Sequence, residues 1–173
     1  MFGRAAAVNR NQRGFTFIEM LVALTIASLI GVGVTTAITQ TLNTSVRNSD
    51  HTVAVKQVQN AIYWVRRDAK MAQTVQVDEG DSGLPLTLTW VEWDNTQHQI
   101  TYVVEEGKLK RRHSIDGGEP TTLLVAEYIN PDPALTNCEF TVGVLTFKVT
   151  TTVGSGSLAT EETQVFRVDP RSN

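Results

Sequence analysis

The chain has one long uncharged stretch, and it lies near the N-terminus. From Met20 to Val46, 27 consecutive residues include no Asp, Glu, Lys or Arg, and the first nineteen of them, Met20–Ile38, are mostly Leu, Val, Ile and Ala. A helix of that length spans roughly 28 Å at a rise of 1.5 Å per residue, about the thickness of the hydrocarbon core of a bilayer. The pattern predicts one membrane-spanning helix.

Beyond the uncharged stretch, apolar residues recur at intervals typical of a helix. The apolar stripe comprises Val46, Val53, Val58, Ile62, Val65, Ala69 and Ala72. Charged residues fall largely between these positions, which predicts an amphipathic helix. Because no proline interrupts residues 15–73, we expect one continuous helix. Its first half would face lipid or sister helices, and its second half would cover a folded domain.

From about Thr74 the spacing changes to the alternation of β-strands. Strands are predicted at residues 84–90, 99–104, 108–112, 121–129, 141–153 and 162–168. Asp94-Asn95 and Glu106-Gly107 supply turn signals between them. We therefore predict an α+β fold, in which a long N-terminal helix packs on a C-terminal antiparallel β-sheet domain.

Composition and charge exclude several kinds of partner and cofactor. The net charge of −3 gives no reason to predict nucleic acid as a partner. The single cysteine, Cys138, cannot form an intramolecular disulfide and is expected to be a buried small apolar residue. With one Cys and three His, no zinc-type ligand set is visible, and we predict no metal and no cofactor. The acidic turn at 78–81 lacks the ligand pattern of a calcium loop and is expected to be solvated.

The sequence offers no constellation for catalysis, so the protein is predicted not to be an enzyme. His113, Ser114 and Asp116 are neighbours in sequence, but a catalytic triad requires convergence in space. The basic strand at 108–112 is expected to be solvated. The three tryptophans, Trp64, Trp90 and Trp93, are expected to pack in the core or between helix and sheet.

The N-terminus permits three interpretations: a secretory signal peptide, a plain anchor, or a leader cut before the apolar run. Residues 1–14 carry Arg4, Arg10 and Arg13 and no acid, which favours a cytoplasmic N-terminus. Glu19 decides among the interpretations. An acid near the membrane interior is costly, a signal peptide gains nothing from it, and a plain anchor would be better served by leucine. Only the leader interpretation gives the carboxylate a purpose.

The segment from Arg13 to Leu24, RGFTFIEMLVAL, resembles the cleavage and methylation motif of the type IV prepilin and pseudopilin families. In those families a membrane aspartyl peptidase, the prepilin peptidase, cuts after the glycine and methylates the new N-terminal residue. The resemblance implies that the cut falls between Gly14 and Phe15, that Phe15 becomes N-methylated, and that Glu19 becomes the fifth residue of the mature chain.

The chemistry of such a cut explains the acid. Cleavage exposes an α-ammonium at Phe15 next to lipid, where an unpaired charge is costly. Glu19 supplies the opposite charge, on its own helix or on a neighbouring subunit. A pair formed between subunits fixes their axial stagger more reliably than it adds net stability.

The resemblance implies an arrangement for the whole chain: a cleaved leader at 1–14, a transmembrane and assembly helix at 15–45, and an extracytoplasmic pilin-like domain at 46–173, helical to about residue 73. The implied location is the inner membrane, with a single span and a cytoplasmic N-terminus, and later a fibre. The implied partners are the prepilin peptidase, inner membrane lipid, other pilin or pseudopilin subunits and an assembly platform.

A looser resemblance extends downstream. The strand Ile100-Thr101-Tyr102, the following glycine turn and Leu-x-Arg, and later Val144–Phe147, are similar to the J-type minor pseudopilin of type II secretion. A minor pseudopilin or minor pilin is therefore the leading hypothesis. The alternatives are a membrane-anchored binding or adhesion module that does not polymerise, and a bitopic enzyme, against which the missing active site argues. The motif is shared by secretion, twitching, adhesion and DNA-uptake machineries and singles out none of them.

Overall fold

The structure is a computed structural model that describes residues 14–80, 82–156 and 159–171. It divides between Thr44 and Ser45 into two compact units. One helix begins in the first unit and ends in the second, and eight strands follow it. The elements are α1 (Phe17–Met71), β1 (Thr74–Gln76), β2 (Leu86–Val91), β3 (Gln97–Glu105), β4 (Lys108–Ile115), β5 (Thr121–Ala126), β6 (Asn137–Thr141), β7 (Val144–Val153) and β8 (Thr160–Val168). The α+β prediction is confirmed.

The buried face of α1 lies in the second unit and is shifted from the predicted stripe. The buried residues are Ala54, Val58, Ala61, Val65, Asp68 and Ala69. Val46 is 52% exposed and Val53 is half-buried, so neither belongs to the core, contrary to the prediction. The helix instead buries Ala54 and Ala61, two small residues that the predicted stripe did not include.

The strands form two antiparallel sheets, so the predicted antiparallel domain is confirmed, and its division in two is a finding that the sequence did not indicate. One sheet has the order β1-β2-β3-β4-β5, and the other has the order β6-β7-β8. The predicted strand at 141–153 is interrupted near its start. β6 ends at Thr141, a turn at Val142 and Gly143 follows, with positive φ at both residues, and β7 begins at Val144. Valine rarely adopts that conformation, so the turn gave no signal in the sequence. The short strand β1 was also missed.

The core lies between the second half of α1 and the two sheets. Alternation along the strands sends one set of side chains inward, which is why the pattern of β2 was recognisable from sequence. The largest fully buried apolar side chains are Tyr102, Phe147, Leu86, Leu88, Ile100, Leu109 and Leu145. Each buried Leu or Phe contributes about 1.5–3 kcal/mol, so this unit has a core of its own.

A buried ion pair joins α1 to the five-stranded sheet. The Asp68 carboxylate accepts hydrogen bonds from Arg111 Nε at 2.6 Å and Nη2 at 3.2 Å, and from the Tyr102 hydroxyl at 2.5 Å. The Arg111 guanidinium also lies over the Trp64 ring, 5.3 Å from its centroid. Burial, and then the adjacent carboxylate, raise the pKa of Tyr102 far above its ordinary value, so the hydroxyl remains a donor.

Two of the tryptophans pack as predicted and one does not. Trp90 is buried, and Trp64 is half-buried against the core. Trp93 is 95% exposed, so its predicted packing is wrong. The strand that carries Trp90 ends at Val91, and Trp93 lies in the turn before β3. The alternation that buries Leu88 and Trp90 would also turn Trp93, three residues after Trp90, outward.

Cys138 is buried, as predicted, where β6 meets the loop before β2. Its Sγ donates to the Gly83 carbonyl oxygen at 2.8 Å, and burial raises the pKa of the thiol to about 12. Gly83 has a φ of +63°, and a Cβ added there would lie 1.9 Å from the Cys138 carbonyl oxygen. Only glycine fits this crossing.

Candidate N-terminal processing and assembly site

The Gly14–Phe15 bond lies in a short exposed stretch just before α1. Residues 14–16 are not helical, and the helix begins at Phe17. Phe15 is 88% exposed, and a Cβ added at Gly14 would meet nothing within 4 Å. The bond is therefore open to an approaching enzyme. Arg4, Arg10 and Arg13, predicted as leader charges, lie outside the described residues.

Thr16 and Glu19 form a reciprocal cap at the start of α1. The Glu19 backbone N–H donates to Thr16 Oγ1 at 3.3 Å, and the Thr16 backbone N–H donates to Glu19 Oε2 at 3.2 Å. The Thr16 hydroxyl donates to the same carboxylate oxygen, also at 3.2 Å. This arrangement is a capping box, which satisfies two backbone donors that the first turn leaves free.

The capping box gives Glu19 a role that the sequence interpretation missed. The carboxylate lies at the N-terminal end of α1, where the helix dipole favours negative charge. The signal was present in the sequence, since Thr-x-x-Glu before an apolar run is the typical pattern of a capping box. Among the described residues, both hydrogen bonds to the carboxylate end on Oε2, and none ends on Oε1.

The apolar part of α1 is exposed along its length in the first unit. Leu24, Leu29, Val32 and Ile38 are all largely exposed, and no residue of the most apolar window is buried. By length and composition, α1 is the one helix in the described part of the chain that could cross a membrane. So much exposed apolar surface requires lipid, detergent or other helices around it.

Every Ser and Thr hydroxyl between Met20 and Thr41 is satisfied within the helix. The hydroxyls of Thr25, Ser28, Thr35, Thr36, Thr39 and Thr41 donate to backbone carbonyls three or four residues earlier, at 2.8–3.0 Å. Such bonds remove the cost of placing a hydroxyl in hydrocarbon. The hydroxyl-bearing residues of this stretch therefore suit an apolar environment.

The other candidate residues do not converge on a site. His113 Nε2 lies 2.9 Å from His98 Nδ1, and the two rings stack, while Asp116 accepts a hydrogen bond from the Gln97 backbone N–H at 2.8 Å. Burial and the nearby Arg111 lower the pKa of His113. These contacts hold the sheet together and do not resemble a triad.

The acidic turn and the basic strand form local contacts. Asp78 Oδ2 accepts a hydrogen bond from the Gly80 backbone N–H at 3.2 Å, and Asp81 lies outside the described residues. Within residues 14–80, 82–156 and 159–171, no group of three or more His, Cys, Asp or Glu could hold a metal ion. On the basic strand, Lys110 and Arg112 both contact the Glu105 carboxylate.

The comparisons with known proteins agree with the geometry of the N-terminus. Residues 9–35 match the family model of the prokaryotic N-terminal methylation motif. This range contains the exposed Gly14–Phe15 bond, the capping box and the first turns of the apolar helix. No curated protein and no solved structure matches the chain. The chain carries the prokaryotic N-terminal methylation motif at residues 9–35, which is characteristic of type IV prepilins and pseudopilins.

Proposed function

We propose that the chain is a prepilin-type precursor whose mature form is a subunit of a type II secretion pseudopilus or a type IV pilus-like fibre. One observation carries the proposal: the methylation motif coincides with an exposed, non-helical bond directly before a long apolar helix. A peptidase needs a substrate segment that is not folded into a helix, and residues 14–16 are exposed and lie before the helix begins. The helix that follows supplies the surface along which subunits associate.

In this proposal the prepilin peptidase cuts between Gly14 and Phe15 and methylates the new amine of Phe15. The missing side chain of Gly14 lets the backbone enter a narrow cleft. The new ammonium then lies one residue before Thr16, whose backbone and hydroxyl already bind the Glu19 carboxylate. The Glu19 carboxylate can neutralise this ammonium or that of a neighbouring subunit.

Assembly moves the apolar part of α1 from lipid into contact with other helices. Lipid tails are as apolar as leucine, so this transfer provides little hydrophobic driving force, and specificity must come from packing and polar pairs. A buried Glu19–ammonium pair would fix the axial position of each subunit. The domain formed by residues 46–173 would decide which neighbours a subunit accepts.

The finer assignment is a minor pseudopilin or minor pilin, similar to the J-type. The precursor would cross the inner membrane once, with the arginine-rich leader in the cytoplasm and the sheet domain in the periplasm. Its partners would be the peptidase, sister subunits and an assembly platform. The competing hypothesis, a membrane-anchored binding module that does not polymerise, requires no cut at Gly14.

Mass spectrometry of the cellular protein tests the proposal directly. We expect the mature chain to begin with N-methyl-Phe15, followed by Thr16 and Phe17. A strain without the peptidase should retain the leader and serves as the control. An intact Met1 start in the presence of the peptidase, or a start downstream of the apolar segment, would refute the proposed processing.

A pair of substitutions separates the two roles of Glu19. Glu19→Ala removes both the cap and the charge, and we expect it to be cleaved but excluded from fibres. Thr16→Val removes the capping hydroxyl and keeps the carboxylate, so it should still enter fibres. Equal loss of incorporation in both variants would show that Glu19 acts through the cap and not through the amine.

A further inference from the structure

The exposed face of α1 between His51 and Met71 carries positive charge only. The exposed residues between positions 51 and 71 are His51, Thr52, Lys56, Gln59, Asn60, Tyr63, Arg66, Arg67, Lys70 and Met71. No acid is among them, because the one acid of this stretch, Asp68, is buried. A helix on the surface of an acidic protein normally mixes both signs, so this face is unusual for a chain with a net charge of −3.

The arginines of this face are held in place by aromatic rings. The guanidinium of Arg66 lies over the Phe166 ring at 5.3 Å, and that of Arg67 lies over the Trp64 ring at 5.4 Å. A stacked guanidinium keeps its N–H edge free for a carboxylate and loses little freedom on binding. Among the described residues, none forms a salt bridge with Arg66, Arg67 or Lys70.

These side chains line a groove of about 370 Å³ between α1 and β8, which we call the basic groove. It is lined by Gln59, Ile62, Tyr63, Arg66, Arg67, Lys70 and Gln164. Tyr63 is 59% exposed and adds an aromatic surface with a hydroxyl. Exposed tyrosine beside arginine is a composition enriched at protein–protein interfaces.

The same chain has a second groove of opposite charge, which we call the acidic groove. It has a volume of about 390 Å³, lies between the loop after β1 and strand β6, and is lined by Asp78 and Glu139 among others. Glu79 is exposed beside it. In the part of the chain that the structure describes, none of these three acids forms a salt bridge. The two grooves share no lining residue.

We propose that the basic groove of one molecule binds the acidic groove of a second copy of this chain. Two different surfaces that complement each other make a head-to-tail contact, which continues into an open chain unless it closes into a ring. Such a contact places copies of this chain next to each other, so it rests on the proposed fibre-subunit function and not on the finer assignment as a minor subunit. The inference deepens the proposed function, since it names one neighbour of the subunit in the fibre.

Reciprocal charge reversal in the full-length chain tests the contact. Two differently tagged copies are expressed together, extracted in mild detergent, and their co-purification is measured. We expect R66E/R67E and E79K/E139K, each in both copies, to lower co-purification about tenfold or more, because each places like charges opposite one another. The combination of all four substitutions should restore it to within about threefold of the original chain, which is the signature of a direct pair.

Two control variants separate charge from folding. K148E/R167E makes the same change in net charge at two positions outside both grooves and should leave co-purification unchanged. R66K/R67K keeps the charges but loses the flat stacking, so it should retain most of the association. An unchanged far-UV circular dichroism spectrum verifies the fold of each variant, because replacing Arg67 alters the surroundings of Trp64 directly.

The inference is overturned if unmodified copies do not co-purify, or if the fourfold variant fails to recover. It is also overturned if R66E/R67E abolishes binding to vesicles of anionic phospholipid and leaves co-purification intact, because the groove would then bind lipid headgroups. Mass spectrometry of the same samples keeps the two proposals apart. A methylated Phe15 without association refutes only this contact, and association of a chain that retains its leader refutes only the proposed processing.

Discussion

Removing the Asp68 carboxylate should destabilise the folded domain more than any exposed charge substitution. Asp68→Ala leaves the Arg111 guanidinium, whose side chain is only 13% exposed, without its partner, and it also removes the acceptor of the Tyr102 hydroxyl. Breaking one side of a buried pair costs about 3–5 kcal/mol. The Trp64 ring still lies against the guanidinium, which favours the lower end, about 3 kcal/mol.

Urea unfolding of the full chain in detergent micelles measures this loss. All three tryptophans lie in the unit that contains Asp68, so their fluorescence reports on that unit. With a urea dependence of about 1–3 kcal/mol per molar, a loss of about 3 kcal/mol lowers the midpoint by roughly 1–3 M. Tyr102→Phe, which removes one hydrogen bond to a charged acceptor, should cost about 1.5–3 kcal/mol.

Glu105→Ala is the matched control, because Glu105 also contacts two cations but lies on the exposed side of the sheet. Solvent screens the contacts of Glu105 with its two cations, so we expect the urea midpoint of Glu105→Ala to equal that of the original chain. A triple variant, D68L/Y102F/R111M, removes all three polar groups together and should recover much of the lost stability. If Asp68→Ala unfolds at the same urea concentration as Glu105→Ala, the ion pair is not what holds α1 to the sheet.

Three further outcomes are expected. Gly83→Ala should destabilise the folded domain by several kcal/mol, because the added Cβ would lie 1.9 Å from the Cys138 carbonyl oxygen. Gly143→Ala is the control: it has a positive φ but open space around it, and it should cost only about 1–2 kcal/mol in the same urea titration. Cys138 should resist alkylation in the folded chain near about pH 8 and react fully in urea, because its pKa is raised to about 12; fast labelling of the native protein would contradict its burial. The lowered pKa of His113 favours the neutral ring in the folded state. Its contribution to the free energy of unfolding should therefore be fully present above the ordinary pKa of 6.5 and should be lost as pH falls below that value. His113→Gln should flatten that decline, and an unchanged pH profile would exclude His113 as its source.

The sequence was most informative where one strong local rule applied. The uncharged stretch after Glu19 and the absence of proline predicted α1 well. The alternation of apolar and polar residues at 84–90 predicted β2. The Glu106-Gly107 turn was recognisable too, and both residues have positive φ. Local preference and the final structure agree at these positions.

The misses depend on contacts between residues far apart in sequence. Asp68 could not be recognised as buried, because its partners lie 34 and 43 residues later, on β3 and β4. The division into two sheets falls between β5 and β6, which do not pair, and strand pairing of this kind is not visible in local sequence. The turn at Val142 that separates β6 from β7 was missed because β-propensity argues against it. The capping box is a different kind of miss, since Thr16 and Glu19 are close in sequence and their pattern was overlooked in favour of a charge pair.

The position of the capping box relative to the Gly14–Phe15 bond has a consequence for the proposed processing. Both residues of the cap follow the bond, so removing the leader would leave the first turn of α1 with the same hydrogen bonds. The precursor and the shortened chain therefore present one and the same helical start to their surroundings. What the cut alters is the charge carried just ahead of that start, and a neighbour that distinguishes the two forms must sense an ammonium group and not a change of shape.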